Sequence, residues 1–159
     1  MAKEQKTNAM RILERQKIPY ELLTYECGEF VDGIHVADLT GTPYGQSFKT
    51  LVMEGKSGDY YVFVVPIARE VDRKAAAKAV GEKSVDMIPV KDILKVTGYV
   101  RGGCSPIGMK KPYVTVFDES AGDYEEIYVS GGRIGTTLKV SVEGLLKVSR
   151  GKMAAIVMK

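Results

Sequence analysis

The sequence predicts a mixed α+β fold, with a mixed or antiparallel sheet at its centre and helices around it. Helix-like and strand-like stretches intermix without the strict βαβ alternation of a doubly wound sheet, and the second half of the chain is dominated by consecutive strands. The strands are short and separated by glycines, so they can bend and close into a barrel-like core with peripheral helices. At 159 residues, 45% hydrophobic and 27% charged, the chain has the length and composition of an ordinary globular protein. That fits one domain over residues 1–159, with no internal repeat and no linker-like shift in composition.

Thr7 to Lys17 reads as the first helix, with Ala9, Ile12, Leu13 and Gln16 at three- and four-residue steps, Thr7 or Asn8 as N-cap and Ile18-Pro19 as its stop. Tyr20 to Tyr25 is strand-like. After a polar, irregular stretch from Cys27 to Gly33, a short helix through Ile34 to Leu39 ends at Gly41. Phe48 to Met53 and Asp59 to Val65 are the next strands; the latter is apolar nearly throughout, which predicts a central strand covered on both faces. Asp72 caps an alanine-rich helix, Arg73 to Val80, closed by Gly81. A short strand at Val85 to Ile88 and a short helix at Val90 to Val96 lead to Gly98. Tyr113 to Asp118, Glu126 to Ser130 and Thr136 to Val140 are strand-like, Val142 to Val148 is a final helix capped by Ser141, and Met153 to Met158 reads as a closing strand.

Composition excludes several function classes. No apolar run approaches the roughly 20 residues that span a bilayer, and the charged N-terminus lacks the apolar stretch of a signal peptide, so no membrane partner and a cytoplasmic location are expected. Cys27 and Cys104 are too few for a disulfide framework and their spacing suits no zinc site. With one histidine, His35, no metal site assembles. Lys110-Lys111 is not followed by Ser or Thr, so the preceding glycines form no phosphate-binding Walker loop, and Gly131 to Gly135 matches no dinucleotide fingerprint. No cofactor is expected. The net charge of +3 is spread without a long basic run, which suits a partner gripped by its small end with light backbone contact.

Two features carry chemistry. The stretch Gly98 to Lys111 holds Gly102-Gly103, which permit close backbone approach, and Pro106, which fixes one torsion; such a turn is either a plain connection or an anion- or oxyanion-binding concavity. Cys104 lies inside it, either as a small tolerated side chain or as a nucleophile paired with His35. Lys49 stands within a strand, and Thr50 projects to the opposite face. A strand lysine on the solvent side is the plain account; a cation held at a cleft can instead bind a carboxyl or phosphate oxygen or stabilise an oxyanion.

Together these residues resemble a known family. Thr97-Gly98-Tyr99-Val100-Arg101-Gly102-Gly103-Cys104-Ser105-Pro106-Ile107-Gly108 resembles the signature loop of the YbaK/EbsC family of aminoacyl-tRNA editing domains. Phe48-Lys49-Thr50-Leu51 resembles its lysine-bearing strand, and Ile127 to Arg133 its third block, in family order and from about Ala9 to Val148. The similarity is greatest to the free-standing Cys-tRNA(Pro) deacylases. It implies a compact α+β fold with a barrel-like mixed sheet. It also implies removal of a wrongly attached amino acid from a tRNA 3′ end, with the tRNA aminoacyl end as partner, prolyl-tRNA synthetase as a further candidate partner, and no metal or cofactor. By the same resemblance Lys49 positions the aminoacyl ester or contacts the terminal adenosine and its phosphate. Gly102 and Gly103 present backbone groups to the scissile carbonyl. Tyr20, Phe30 and Thr50 line the pocket, and Ser105, Pro106 and Thr137 count among the substrate-binding positions. An activated ester whose cysteine thiol can attack its own carbonyl needs positioning and oxyanion support rather than a protein nucleophile.

The sequence departs from the family at Thr137, where a carboxylate is usual, at Ile134, where a basic residue is usual, and at Cys104, where another small residue is usual. These departures bear on amino-acid specificity rather than on reaction class. Editing of another small amino acid such as alanine on tRNA(Pro), or non-catalytic binding of an aminoacyl-tRNA or synthetase, are the alternatives.

Overall fold

Backbone partners at the ends of each element explain where the elements fall. The computed structural model describes residues 6–26 and 32–158, so the expectations placed on Cys27 and Phe30 lie outside the described residues. In chain order the elements are α1 (Asn8–Arg15), β1 (Tyr20–Thr24), α2 (Gly33–Thr40), β2 (Phe48–Gly55), β3 (Tyr60–Pro66), α3 (Arg73–Val80), β4 (Val85–Met87) and α4 (Ile93–Thr97). They continue with β5 (Val114–Asp118), β6 (Glu126–Ser130), β7 (Thr136–Ser141), α5 (Val142–Ser149) and β8 (Lys152–Ala154). Asp72 accepts from the Ala75 amide at the start of α3, Ser141 does the same for Gly144 at α5, and Gly81 closes α3, as expected from the sequence.

Two sheets form. β1-β7-β6 is three-stranded and antiparallel; β4-β2-β3-β5-β8 is five-stranded and mixed, with β3 parallel to β5 and β5 parallel to β8. Central β3 alternates between two cores, Val62 and Val64 on one face, Tyr61, Phe63 and Val65 on the other. The first core joins α1 and α5 to both sheets through Met10, Leu13, Phe117, Ile127, Leu138 and Leu145. The second packs α3 onto the far face through Ala76 and Ala77. This is the covering on both faces expected of an apolar strand.

Two expectations are corrected. Among the described residues neither sheet closes, so the core is two open sheets rather than a barrel. The sheets touch at one parallel bridge, Ser47 to Tyr128, and then part because the chain leaves β6 at Gly131-Gly132 while β2 runs on against β3. The closing strand is also shorter than Met153 to Met158: β8 ends at Ala154, and Val157 instead forms an isolated bridge with Val71.

Candidate functional site

The parting of β2 from β6 creates the site. From the Ser47–Tyr128 bridge, two residues along each strand lead to Lys49 and Ser130, and side-chain alternation puts both on the same face. Ser130 is directly opposite Thr137 on β7, and Thr137 opposite Leu23 on β1. A row therefore crosses from one sheet to the other: Lys49, Ser130, Thr137, Leu23. It faces away from the first core, because Val129 and Leu138, the neighbours in sequence, point into that core.

The row is polar and incompletely bonded. Ser130 Oγ is buried with no hydrogen-bond partner among the described residues, and the same holds for Thr50 Oγ1 on the other face of β2. A buried hydroxyl without a partner costs about 1–3 kcal/mol, so the row carries one unsatisfied donor at Ser130 and the opposite face of β2 another at Thr50. In the sequence Ser130 stands only as part of the third block, with no role of its own. Its signal was there in the alternation of β6, where apolar Ile127 and Val129 interleave with Tyr128 and Ser130 just before a double glycine.

Lys49 is half-buried and lines an open cleft of about 630 Å³ with Leu51, Glu70, Arg73, Met87 and Met158. Burial holds its ammonium below the ordinary lysine pKa, and the Glu70 carboxylate partly offsets that. The cleft lies on the face of β2 that carries Leu51 and Met53, whereas Thr50 and Val52 lie on the other.

The glycine stretch comes against that other face. Cys104 and Met109 pack with Val52, Ile88 and Val96. Its ends are tied by the Lys110 amide donating to Thr97 O, and its middle by Tyr99 Oη donating to Ile107 O at 2.6 Å. Asn8 Nδ2 donates to Gly108 O at 2.7 Å. Gly102 has φ +87, a conformation suited to glycine. The Gly103 amide closes a turn on Val100 O at 3.0 Å, so that donor is already used. Gly103 serves instead for approach: a Cβ there would stand 2.6 Å from Arg133 Cα. The signature loop and the Gly131–Gly135 turn are thereby pressed together backbone to backbone. Thr7 pins the second turn, its Oγ1 donating to Gly131 O at 2.5 Å while capping α1.

The remaining expected residues fall outside the row. Ser105 is fully buried, and its Oγ accepts from the Ile107 amide at 3.3 Å, which shapes the loop. Pro106 lines a separate hollow with Lys110 and Lys111. Tyr20 is opposite Val140, three positions along β1 from Leu23 or roughly 10 Å. Its Oη donates to Glu14 Oε2 at 2.5 Å, and burial with that bond pushes its pKa up to about 12. His35 is exposed on α2. Burial pushes the Cys104 thiol up to about 11, which removes the thiolate a nucleophile needs. Among the described residues no cluster of His, Cys, Asp or Glu can hold a metal ion.

Comparison with known proteins identifies the family. A family model described as an aminoacyl-tRNA editing domain matches residues 34–148. The chain is 42% identical over 157 residues to an Enterococcus faecalis protein carried under the provisional name Cys-tRNA(Pro)/Cys-tRNA(Cys) deacylase EbsC, covering 98% of this chain and 96% of that one. A proline–tRNA ligase of Fervidobacterium nodosum is 33% identical over 75 residues, 47% of this chain but 13% of the ligase. Among solved structures, a provisionally assigned trans-editing enzyme for prolyl-tRNA synthetase has the same fold, with a TM-score of 0.84 at 22% identity over 98% of this chain and 100% of that one. The chain belongs to the family of aminoacyl-tRNA editing domains.

Proposed function

We propose that the protein is a deacylase that hydrolyses the ester between a wrongly attached amino acid and the 3′ end of tRNA, with Cys-tRNA(Pro) as substrate. The observation that carries the mechanism is the row at the sheet seam: a half-buried cation, with Glu70 in the same cleft, beside the partnerless hydroxyl of Ser130, with no imidazole or thiolate in it. Such a site positions an ester and supports charge, and it offers no nucleophile of its own.

The chemistry then falls to the substrate. Its thiol attacks its own carbonyl carbon, negative charge gathers on the carbonyl oxygen, and the ester C–O bond breaks with the proton passing to the ribose oxygen. The released product is a cysteine thiolactone, whose C–S bond water then opens to give free cysteine and complete the net hydrolysis. Lys49 supports the developing oxyanion or the terminal phosphate, Ser130 donates to a ribose or carbonyl oxygen, and Thr137 bounds the amino-acid end, while Thr50 lies behind Lys49 on the opposite face of β2. Gly102 contributes backbone approach to the carbonyl, and Gly103 holds the two glycine turns together. A pocket discriminates one methylene by only about 1–3 kcal/mol, which is why a second, hydrolytic check follows aminoacylation. Prolyl-tRNA synthetase is the source of this substrate and the candidate protein partner, and the reaction belongs in the cytoplasm, where aminoacyl-tRNA is used. The whole chain acts as one editing domain.

The test is a panel of Cys-, Ala- and Ser-charged tRNA(Pro). The cysteinyl ester is expected to be cleaved fastest, and Lys49→Ala to lose about a hundredfold or more. Preference for the alanyl ester would move the substrate to alanine. Cleavage of none would favour a binding module.

A further inference from the structure

Beyond Pro106 the signature loop enters a second hollow, of about 390 Å³, whose wall includes Gly108, Lys110, Lys111, Tyr113 and Arg150. No aspartate or glutamate lines it. Lys110, Lys111 and Arg150 are exposed, and none of them forms an ion pair among the described residues. The hydroxyls in the wall have spent their protons: Tyr113 Oη donates to Val96 O, Thr115 Oγ1 to Tyr113 O and Ser149 Oγ to Leu145 O. The donors left for a ligand are the cations.

Two of these cations are placed by backbone. The Lys110 amide is bonded to Thr97 O and its side chain passes over Gly98, where a Cβ would meet Lys110 Cγ at 3.2 Å. Arg150 is the C-cap of α5 in the left-handed region, φ +55, a position where glycine is the unstrained choice. Lys147 already supplies a cation to the last turn of α5, so the helix dipole gives no special reason for a second. The strained arginine keeps a guanidinium at the rim of the hollow.

We propose that this hollow is a contact for the phosphate backbone of tRNA that senses charge and not sequence. The inference rests on the deacylase reading above, because that reading supplies a polyanion attached to the scissile ester. The hollow is built from the same loop that carries Gly102 and Gly103. Exposed cations that no protein partner holds in a fixed orientation neutralise phosphates without presenting a set geometry to base edges. A tRNA body therefore binds here whatever its identity.

Binding of uncharged tRNA tests the hollow apart from chemistry. In Lys110→Glu/Lys111→Glu the Kd is expected to rise about tenfold or more, equally for tRNAs of unrelated sequence. The slope of log K against log salt should flatten by about 0.7–0.9 for each phosphate that is no longer neutralised. Arg150→Gly removes one charge while relieving the backbone, so it should weaken binding severalfold with Tm unchanged or higher. Turnover of 3′-cysteinyl adenosine, which has no tRNA body, should stay at the wild-type rate in all variants. An unchanged Kd and salt slope in both variants would overturn the proposal, as would weakening confined to one tRNA sequence. If the wild type cleaves no ester, the deacylase reading fails, and the tRNA Kd still decides the hollow.

Discussion

Lys49 carries the sharpest conflict between stability and function. Its half-buried ammonium is held below the ordinary pKa, chiefly by desolvation and against the pull of Glu70. A cation whose folded pKa lies below its unfolded one binds its proton less well in the folded state. At neutral pH it therefore opposes folding, and this opposition starts to lift as pH passes the folded pKa and is gone only above the unfolded one. Lys49→Met should hold or raise Tm while abolishing deacylation, a separation that a merely structural lysine would not give. The pH profile makes a second demand. With spontaneous ester hydrolysis subtracted, kcat/KM should fall on the alkaline side below the free-lysine value of about 10.4. Glu70→Gln should move that limb lower still, and a shift upward would separate the limb from Lys49. Cys104 makes the opposite case. With its thiol pushed up to about 11, it is expected to resist alkylation at neutral pH, and Cys104→Ser to turn over Cys-tRNA(Pro) at near the wild-type rate. Collapse of that variant's activity would restore the nucleophile.

At the level of elements, the glycine turns decide the site's shape. A methyl at Gly103 would have to push apart two backbones, since Arg133 Cα and C and Ile134 N all lie within 3.0 Å of it. Overpacking of this kind costs about 1–3 kcal/mol. For a chain of this size that corresponds to roughly 2–4 °C in Tm per kcal/mol. Gly103→Ala should accordingly lower both Tm and kcat/KM, and an unperturbed Tm would show that the turns do not need to touch. What is legible in the sequence follows the same division between local and distant causes. The helix from Arg73 to Val80 is readable to the residue because Asp72 and Gly81 act within one turn of it. Lys49 and the glycine stretch stand out because a strand lysine and paired glycines are locally unusual. Ser130 does not, since its meaning depends on one bridge between strands far apart in the chain. Tyr20 is a pocket candidate through the family resemblance alone, and its neighbours are Glu14 and the first core. The expected barrel fails for the same reason: closure is set by non-local pairing, and the chain turns at Gly131-Gly132 before a second bridge can form.

Over the whole molecule, a site at the seam of two sheets keeps its geometry only if the sheets fold as one unit. The first core supplies that unity, since Phe117 of the five-stranded sheet packs in the same cluster as Ile127, Val129 and Leu138 of the other. Asp118, next to Phe117 and 2% exposed, is the means to test it. Its Oδ1 accepts from the Ile156 amide at 3.1 Å, and its Oδ2 accepts from the Ser120 amide at 3.1 Å and the Ser120 hydroxyl at 2.6 Å. Asp118→Ala strands those donors, each worth about 1–3 kcal/mol when left without an acceptor, and should lower Tm by on the order of 10 °C. Asp118→Asn keeps carbonyl acceptance at one oxygen and should lose less. None of these bonds lies in the three-stranded sheet. If the two sheets are one cooperative unit, hydrogen exchange in the alanine variant will nonetheless speed up in β6 and β7 as much as in β3 and β5, within a single denaturant transition. Faster exchange confined to the five-stranded sheet would mean that the seam can open while each sheet stays folded, and the row from Lys49 to Thr137 would then be assembled only in part of the population.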